Sequence, residues 1–435
     1  DGPGGGAGAH AGPARHGPAS DRMTRLRQAP ATPAVLATEP PDLDRCEEAG
    51  RFDVIAGEAE LERRSAQMLA RRGVAGLVGW MPTAQVDHLS HRLAPHGGAV
   101  AILSRPRGTQ PPTLLGQTGS AREFAPLITT YATVPYADVN PSFVAGLAYV
   151  VMFGMMFADV GHGALLLLLA VAVRRSWWTR LARLRPVWLF LAGAGAASMV
   201  FGALYGEFFG PTGVIPTMWL DPLSHPVELL VAGVAAGAVL LAGAYALGTV
   251  NRFREGGWRR AVYAPSGLAG AALFLGLGAV AGGAYLGVAT LAVVGVVVAI
   301  AGLVAAYVGL FAAAGGGGAG AAEAGVGLLD LVLRLGSNLV SFARLAAFGL
   351  THAALAAVIW QATTGLWSGG GPMLAAAAVV VFLLGNALTF ALEGLVAAIQ
   401  ALRLEYYELF SRVFDGEGVP FRPWHLALEE KAVPC

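Results

Sequence analysis

Residues 327–360 read GLLDLVLRLGSNLVSFARLAAFGLTHAALAAVIW, and residues 372–414 form a second long apolar stretch. Each is helix-compatible, and each carries ionised groups deep inside. Arg344 stands alone in the first; Glu393 and Arg403 lie in the second. An ionised side chain at the centre of a membrane helix costs about 2.5–3.5 kcal/mol on insertion scales. A chain that keeps several of them on two consecutive helices is expected to use them.

The polar residues are ordered. Asp330, Ser337, Arg344 and Thr351 recur every seven residues, with Asn338, Ser341 and His352 on the flank. Seven steps of about 100° return nearly to the starting angle, so these residues share one face. Asn386, Glu393 and Gln400 repeat the spacing on the second helix, beside Thr389 and Arg403. Two helices with one polar stripe each predict a polar seam, shared between them or turned to a partner.

Composition sets the class. Of 435 residues, 55% are hydrophobic and only 13% charged, against about 25% charged in soluble domains. Mean hydropathy is +0.58. An integral membrane protein with a soluble piece is expected. A net charge of +1 with a single lysine, Lys431, gives no reason to expect nucleic-acid binding. Cys46 and Cys435 fit no zinc or CxxC pattern and are expected to be free thiols. The Gly-rich run 315–320 lacks the GK[ST] of a nucleotide loop and reads as a flexible connection. No cofactor and no metal is expected.

In chain order, residues 1–45 are rich in Gly, Pro, Ala and Arg and are expected to be disordered. Residues 46–137 read as a partial N-terminal domain and linker. A helix over 58–72, strands over 76–81 and 99–104, and a helix over 83–93 between them predict a small β-α-β arrangement. Residues 106–136 read as a Pro-rich extended linker. The transmembrane part is expected over 138–414 and a tail over 415–435. Apolar segments at about 141–158, 160–174, 186–206, 226–250, 262–283, 285–312, 326–364 and 372–413 predict about eight spans, since about 20 apolar residues cross a bilayer. The last two exceed that length and should tilt. The fold class is thus an all-α polytopic membrane protein with a small α/β N-terminal remnant.

Loop charge predicts orientation. Residues 174–185 and 251–260 are basic, whereas 206–225 and 365–372 hold no Lys or Arg. The positive-inside rule puts the first pair, both termini and the N-terminal piece in the cytoplasm. Asp330 then marks an inner approach. His352, about 12 Å beyond Arg344 at 1.5 Å per residue, and Glu393 mark an outer one. Arg403 lies about 15 Å inward of Glu393. Arginine stays charged at any working pH, so a partner's carboxylic acid would have to ionise on reaching it. That is the layout of two offset half-channels separated by fixed positive charge.

The pieces GWMP (79–82), PPTLL (111–115), VMFGMMFADVGHG (151–163), FGALYGEFFGP (201–211), SFARLAAFGLTHAAL (341–355) and LEGLVAAIQALRLEYYELF (392–410) resemble the membrane subunit of V-type and A-type rotary ATPases, subunit a or subunit I. The resemblance runs from about Gly73 to the C-terminus and implies a stator subunit that moves protons or sodium ions. Arg344 matches the family's essential arginine and Arg403 its second. Glu393 and His352 match outer half-channel residues. Asp330 stands where the family often has an acid.

Ser337, Asn338, Ser341, Asn386, Gln400 and Glu207 are candidate channel-lining residues. Asp159 and His162 invite a metal or proton role, but a turn-capping one is expected. The implied partners are a rotor ring of carboxylate-bearing subunits, peripheral stalk subunits, the central stalk and ATPase head indirectly, and the bilayer of a bacterial-type plasma membrane. ATP chemistry would belong to other subunits. The alternative is a secondary transporter binding substrate at Arg344 and Glu393, which predicts an inverted repeat and helices broken at mid-membrane.

Overall fold

The computed structural model describes residues 42–48, 50–71, 74–104, 109–114, 128, 133–175, 185, 187–414 and 418–423. The segment 1–41, most of the expected linker, the basic stretch 176–184 and most of the tail lie outside these. The chain divides into two units, residues 1–105 with 422–435, and residues 106–421.

In the first unit, α1 (Leu43–Glu48) and α2 (Phe52–Ser65) precede a two-stranded antiparallel ribbon, β1 (Leu69–Arg71) with β2 (Val74–Gly76). A single 3-10 turn (Thr83–Gln85) leads into α3 (Val86–Leu93). The expected β-α-β arrangement is corrected here. Residues 99–104 form no strand, and the only strands among the described residues pair as a local ribbon. Apolar runs of four to six residues cannot by themselves distinguish a strand from an extended segment. Ile102 and Leu103 are exposed, so no buried sheet face fixes a register. Cys46 is disulfide-bonded rather than free.

The second unit is helical. Its elements are α4 (Ser142–Met156), α5 (Val160–Arg175), α6 (Trp188–Tyr205), α7 (Pro226–Tyr263), α8 (Leu268–Leu286), α9 (Ala289–Ala313), α10 (Gly317–Ser341), α11 (Ala343–Ser368) and α12 (Pro372–Leu404). A π-helical segment (Glu405–Phe410) and a last turn, α13 (Ser411–Val413), complete it. Among the described residues, six helical stretches are long and apolar enough to cross a membrane: α6, α7, α8, α9, the joined α10–α11, and α12 through Val413. The apolar helix α4 is shorter. Its outward Leu, Val and Phe side chains suit a hydrocarbon surround rather than water. This is an integral membrane protein. The strongest pairings are α5 on α6, α8 on α9, and α11 on α12, with α4 and α7 also packed on α11.

Three local readings change. The run 315–320 is a tight turn at Gly315–Gly316 followed by the start of a helix: Gly315, Gly316 and Gly317 all have positive φ, and α10 begins at Gly317. The basic stretch 251–260 is not a loop but the end of α7, kinked at Gly256–Gly257. Asn251 and Arg252 are buried there; Arg252 pairs with Glu255 at 3.1 Å and donates to Val413 O. The seventh segment is interrupted at Phe342, which keeps αR angles (φ −73°, ψ −12°). It is therefore a joint rather than an unwound stretch. Phe342 is completely buried against Gly237 of α7, where any Cβ would run into its ring.

Candidate functional site

Two polar clusters lie along α11 and α12. The first is built at the α4–α5 turn. Asp159 Oδ1 accepts from His162 N at 2.8 Å and so caps α5, as the sequence predicts. Its Oδ2 accepts from Gly210 N at 3.1 Å, which ties this turn to the loop after α6. Phe209, just before, holds φ +50°, a left-handed conformation that costs a non-glycine residue about 1–3 kcal/mol. The Asp159 bond at Gly210 helps hold that loop. The Phe209 ring meets His162 edge-on at 5.2 Å.

From α11 comes His352, 2% exposed, whose Nδ1 lies 2.5 Å from Glu393 Oε2 on α12. His352 and His162 stand ring to ring at 5.6 Å, with Phe157 and Phe390 beside them. Asp159, His162 and His352 each offer a ligand atom, and those atoms lie within 4.8 Å of one another. Sequence spacing gave no such group, because His352 is remote in the chain from the Asp159–His162 pair. Glu207, 3% exposed, has an unpartnered Oε2. Its carboxyl is pushed up to about 7, first by burial and then by the nearby charge of Asp159. Asn386 is buried and donates to Phe382 O at 2.9 Å, and Thr389 is buried with its hydroxyl unpartnered.

The second cluster centres on Arg344, the second residue of α11 and two residues past the Phe342 joint. Its Nη1 is buried without a hydrogen-bond partner. Arg403 and Glu408 are within electrostatic reach of it. Glu408 also contacts Ser341, whose hydroxyl donates to Ser337 O at 3.0 Å. Asn338, with its amide oriented to satisfy both groups, donates to Arg334 O at 3.1 Å and accepts from Arg412 at 3.2 Å. Arg412 stacks over the Tyr245 ring at 5.6 Å. Asp330 is exposed and pairs with Arg334, one turn away, at 2.7 Å. Gln400 is half-buried with Oε1 unpartnered.

The stripe keeps one face. Asp330, Ser337, Thr351 and Arg403 are exposed and Arg344 is half-buried, amid exposed Leu333, Val340, Leu392 and Leu395. Glu405, Glu408 and Arg412 were not singled out from the sequence. Their signal was present: they continue the charge of Arg403 at two-, three- and four-residue steps along the same helix. Glu405 is almost fully buried and borders a cavity of about 410 Å³, otherwise lined by apolar side chains such as Val144, Leu240 and Phe410.

The chain matches the profile of the V-type ATPase 116kDa subunit family over residues 66–214 and 327–426, which hold both clusters. It is similar to A-type ATP synthase subunit I of Thermococcus kodakarensis, 26% identical over 385 residues, covering 82% of this chain and 55% of that protein. The subunit I of Pyrococcus horikoshii is 25% identical over 365 residues, covering 80% and 53%. That of Archaeoglobus fulgidus is 30% identical over 139 residues, covering 31% and 19%. The chain spans about half the length of the curated relatives it matches along most of its own length. With both matched regions carrying the helices and turns just described, the chain belongs to the V-type ATPase 116kDa subunit family.

Proposed function

We propose that this chain is the ion-translocating stator subunit of a rotary ATPase, moving protons past a ring of carboxylate-bearing subunits. The observation that carries the reading is the pairing of two clusters on one helix pair. His352 and Glu393 meet across α11 and α12, while Arg344, Arg403 and Glu408 gather about 12 Å along the axis. Glu393, His352, Asn386 and Glu207 line the outer half-channel. Asp330, Ser337, Asn338 and Ser341 line the inner one, and Gln400 lies between. Arg344 and Arg403 supply the fixed cations that make a passing ring carboxylate release its proton on one side and regain one on the other.

The exposed face of Ser337, Thr351 and Arg403 is the surface offered to the ring. Peripheral stalk subunits would hold the chain still, and the ATPase head would act through the central stalk. The reading puts both termini in the cytoplasm, with residues 46–137 as the part of the N-terminal domain that this chain carries. The relatives are named as subunits of an A-type ATP synthase.

Arg344→Ala in the assembled complex tests the proposal. The expected result is intact assembly with ATP-driven ion transport lost. Transport at the unsubstituted rate in that variant rejects the assignment.

A further inference from the structure

Asp159, His162 and His352 form a set that ion transfer by itself does not require. All three are buried, and one carboxylate oxygen and one ring nitrogen from each histidine converge within 4.8 Å. Neither ring nitrogen of the fully buried His162 makes a hydrogen bond of good geometry, its Nδ1 standing 3.5 Å from Asp159 Oδ1 with the Asn386 backbone also near the ring, and His352 Nε2 has no partner either. Burying a polar atom unpaired costs about 1–3 kcal/mol. One nitrogen from each histidine, converging with a carboxylate oxygen, calls for a common partner.

Glu393 supplies an independent sign. It holds His352 Nδ1 at 2.5 Å; with Nδ1 as the donor to this carboxylate, the neutral tautomer offers its Nε2 lone pair to a ligand. A carboxylate behind a histidine is the arrangement that orients metal-ligating imidazoles. Asp159 is itself held in place by two backbone N–H groups.

We propose that Asp159, His162 and His352 bind a first-row divalent transition metal ion, with Zn²⁺ the ion of choice and Glu393 the carboxylate behind His352. Two imidazole nitrogens and one carboxylate oxygen suit Zn²⁺ and leave a fourth position open. Mg²⁺ and Ca²⁺ need sets dominated by oxygen and are not accommodated. Ligand atoms at about 2.0–2.1 Å from Zn²⁺ stand about 3.4 Å apart, so ligand atoms now up to 4.8 Å apart draw in by up to about 1.4 Å. One consequence rests on the proposed ion path: bound Zn²⁺ immobilises His352 and obstructs the outer half-channel.

The test uses the full chain, without a histidine tag, in lipid nanodiscs. Zn²⁺ titration followed by metal analysis after desalting is expected to give one tightly held ion per chain. His162→Gln is expected to weaken binding at least about 100-fold, and Glu393→Gln about 10–100-fold. Excess Mg²⁺ should not compete. No retained Zn²⁺ in the unsubstituted chain, or retention unchanged in His162→Gln, overturns the site. Co²⁺ loading of the unsubstituted chain decides the matter should that variant misfold. Intense visible absorption of a four- or five-coordinate ion, removed by Zn²⁺, supports the site, and the weak spectrum of hydrated Co²⁺ overturns it. Zn²⁺ inhibition of transport in the assembled complex is read separately. Binding without inhibition upholds the site and counts against the ion path alone.

Discussion

Glu393 Oε2 lies 2.5 Å from His352 Nδ1, joining α12 to α11 beside the Asp159–His162 turn. The two residues are far apart in sequence, yet each is placed by its own helix. If they act as a unit in ion transfer, His352→Gln and Glu393→Gln each slow ATP-driven transport, and the double variant is no slower than the worse single one. The expected coupling is about 1–3 kcal/mol. Strictly multiplicative effects on the transport rate would show that the contact does not act as a unit.

Glu207 gives a pH signature. Burial raises its carboxyl from 4.5 to about 7. The folded chain therefore keeps a proton that the unfolded chain releases above about 4.5. Stability from this residue is greatest below pH 4.5, declines as pH rises from 4.5 to about 7, and is flat beyond. Infrared difference spectra should show a protonated carboxyl band at pH 6 that fades by about pH 8. Glu207→Gln should remove the band, and its persistence there would assign it to another acid.

Gly237 and Gly243 lie on the same helix but in different surroundings. A Cβ at Gly237 would collide with Phe342, whereas one at Gly243 meets nothing within 4 Å. Gly237→Ala should destabilise by about 1–3 kcal/mol through overpacking at the α7–α11 contact. Gly243→Ala should be neutral or stabilising by up to about 1 kcal/mol, since alanine favours the helix. Thermal unfolding in detergent compares the two. Equal effects would mean that the Phe342 joint tolerates displacement.

Asn251 holds two separate segments. Its Oδ1 accepts from Val139 N at 3.0 Å, and its Nδ2 donates to Val413 O at 3.1 Å. Asn251→Ala removes both bonds at a buried position; Val413 O keeps Arg252 as a donor, so Val139 N alone is left unpaired, at a cost of about 1–3 kcal/mol. Hydrogen exchange should quicken at Val139 without changing in α8 and α9. Uniform quickening would point to global unfolding instead.

The helices were legible in the sequence because apolar length and a seven-residue polar repeat are local properties. Arg344, Ser337 and Asp330 share a face for reasons of helical geometry alone, and the structure keeps them there. The capping role of Asp159 was legible too, since it needs only the next three residues. Beyond that reach, the reading failed where partners are remote. Arg252 looked like loop charge, yet it is buried because α7 continues and Val413 O comes to meet it. Only the tertiary structure brought His352 onto both Glu393 and the Asp159–His162 turn. Spacing along a chain fixes which side of a helix a residue occupies; which helix faces it depends on packing between segments separated by scores of residues.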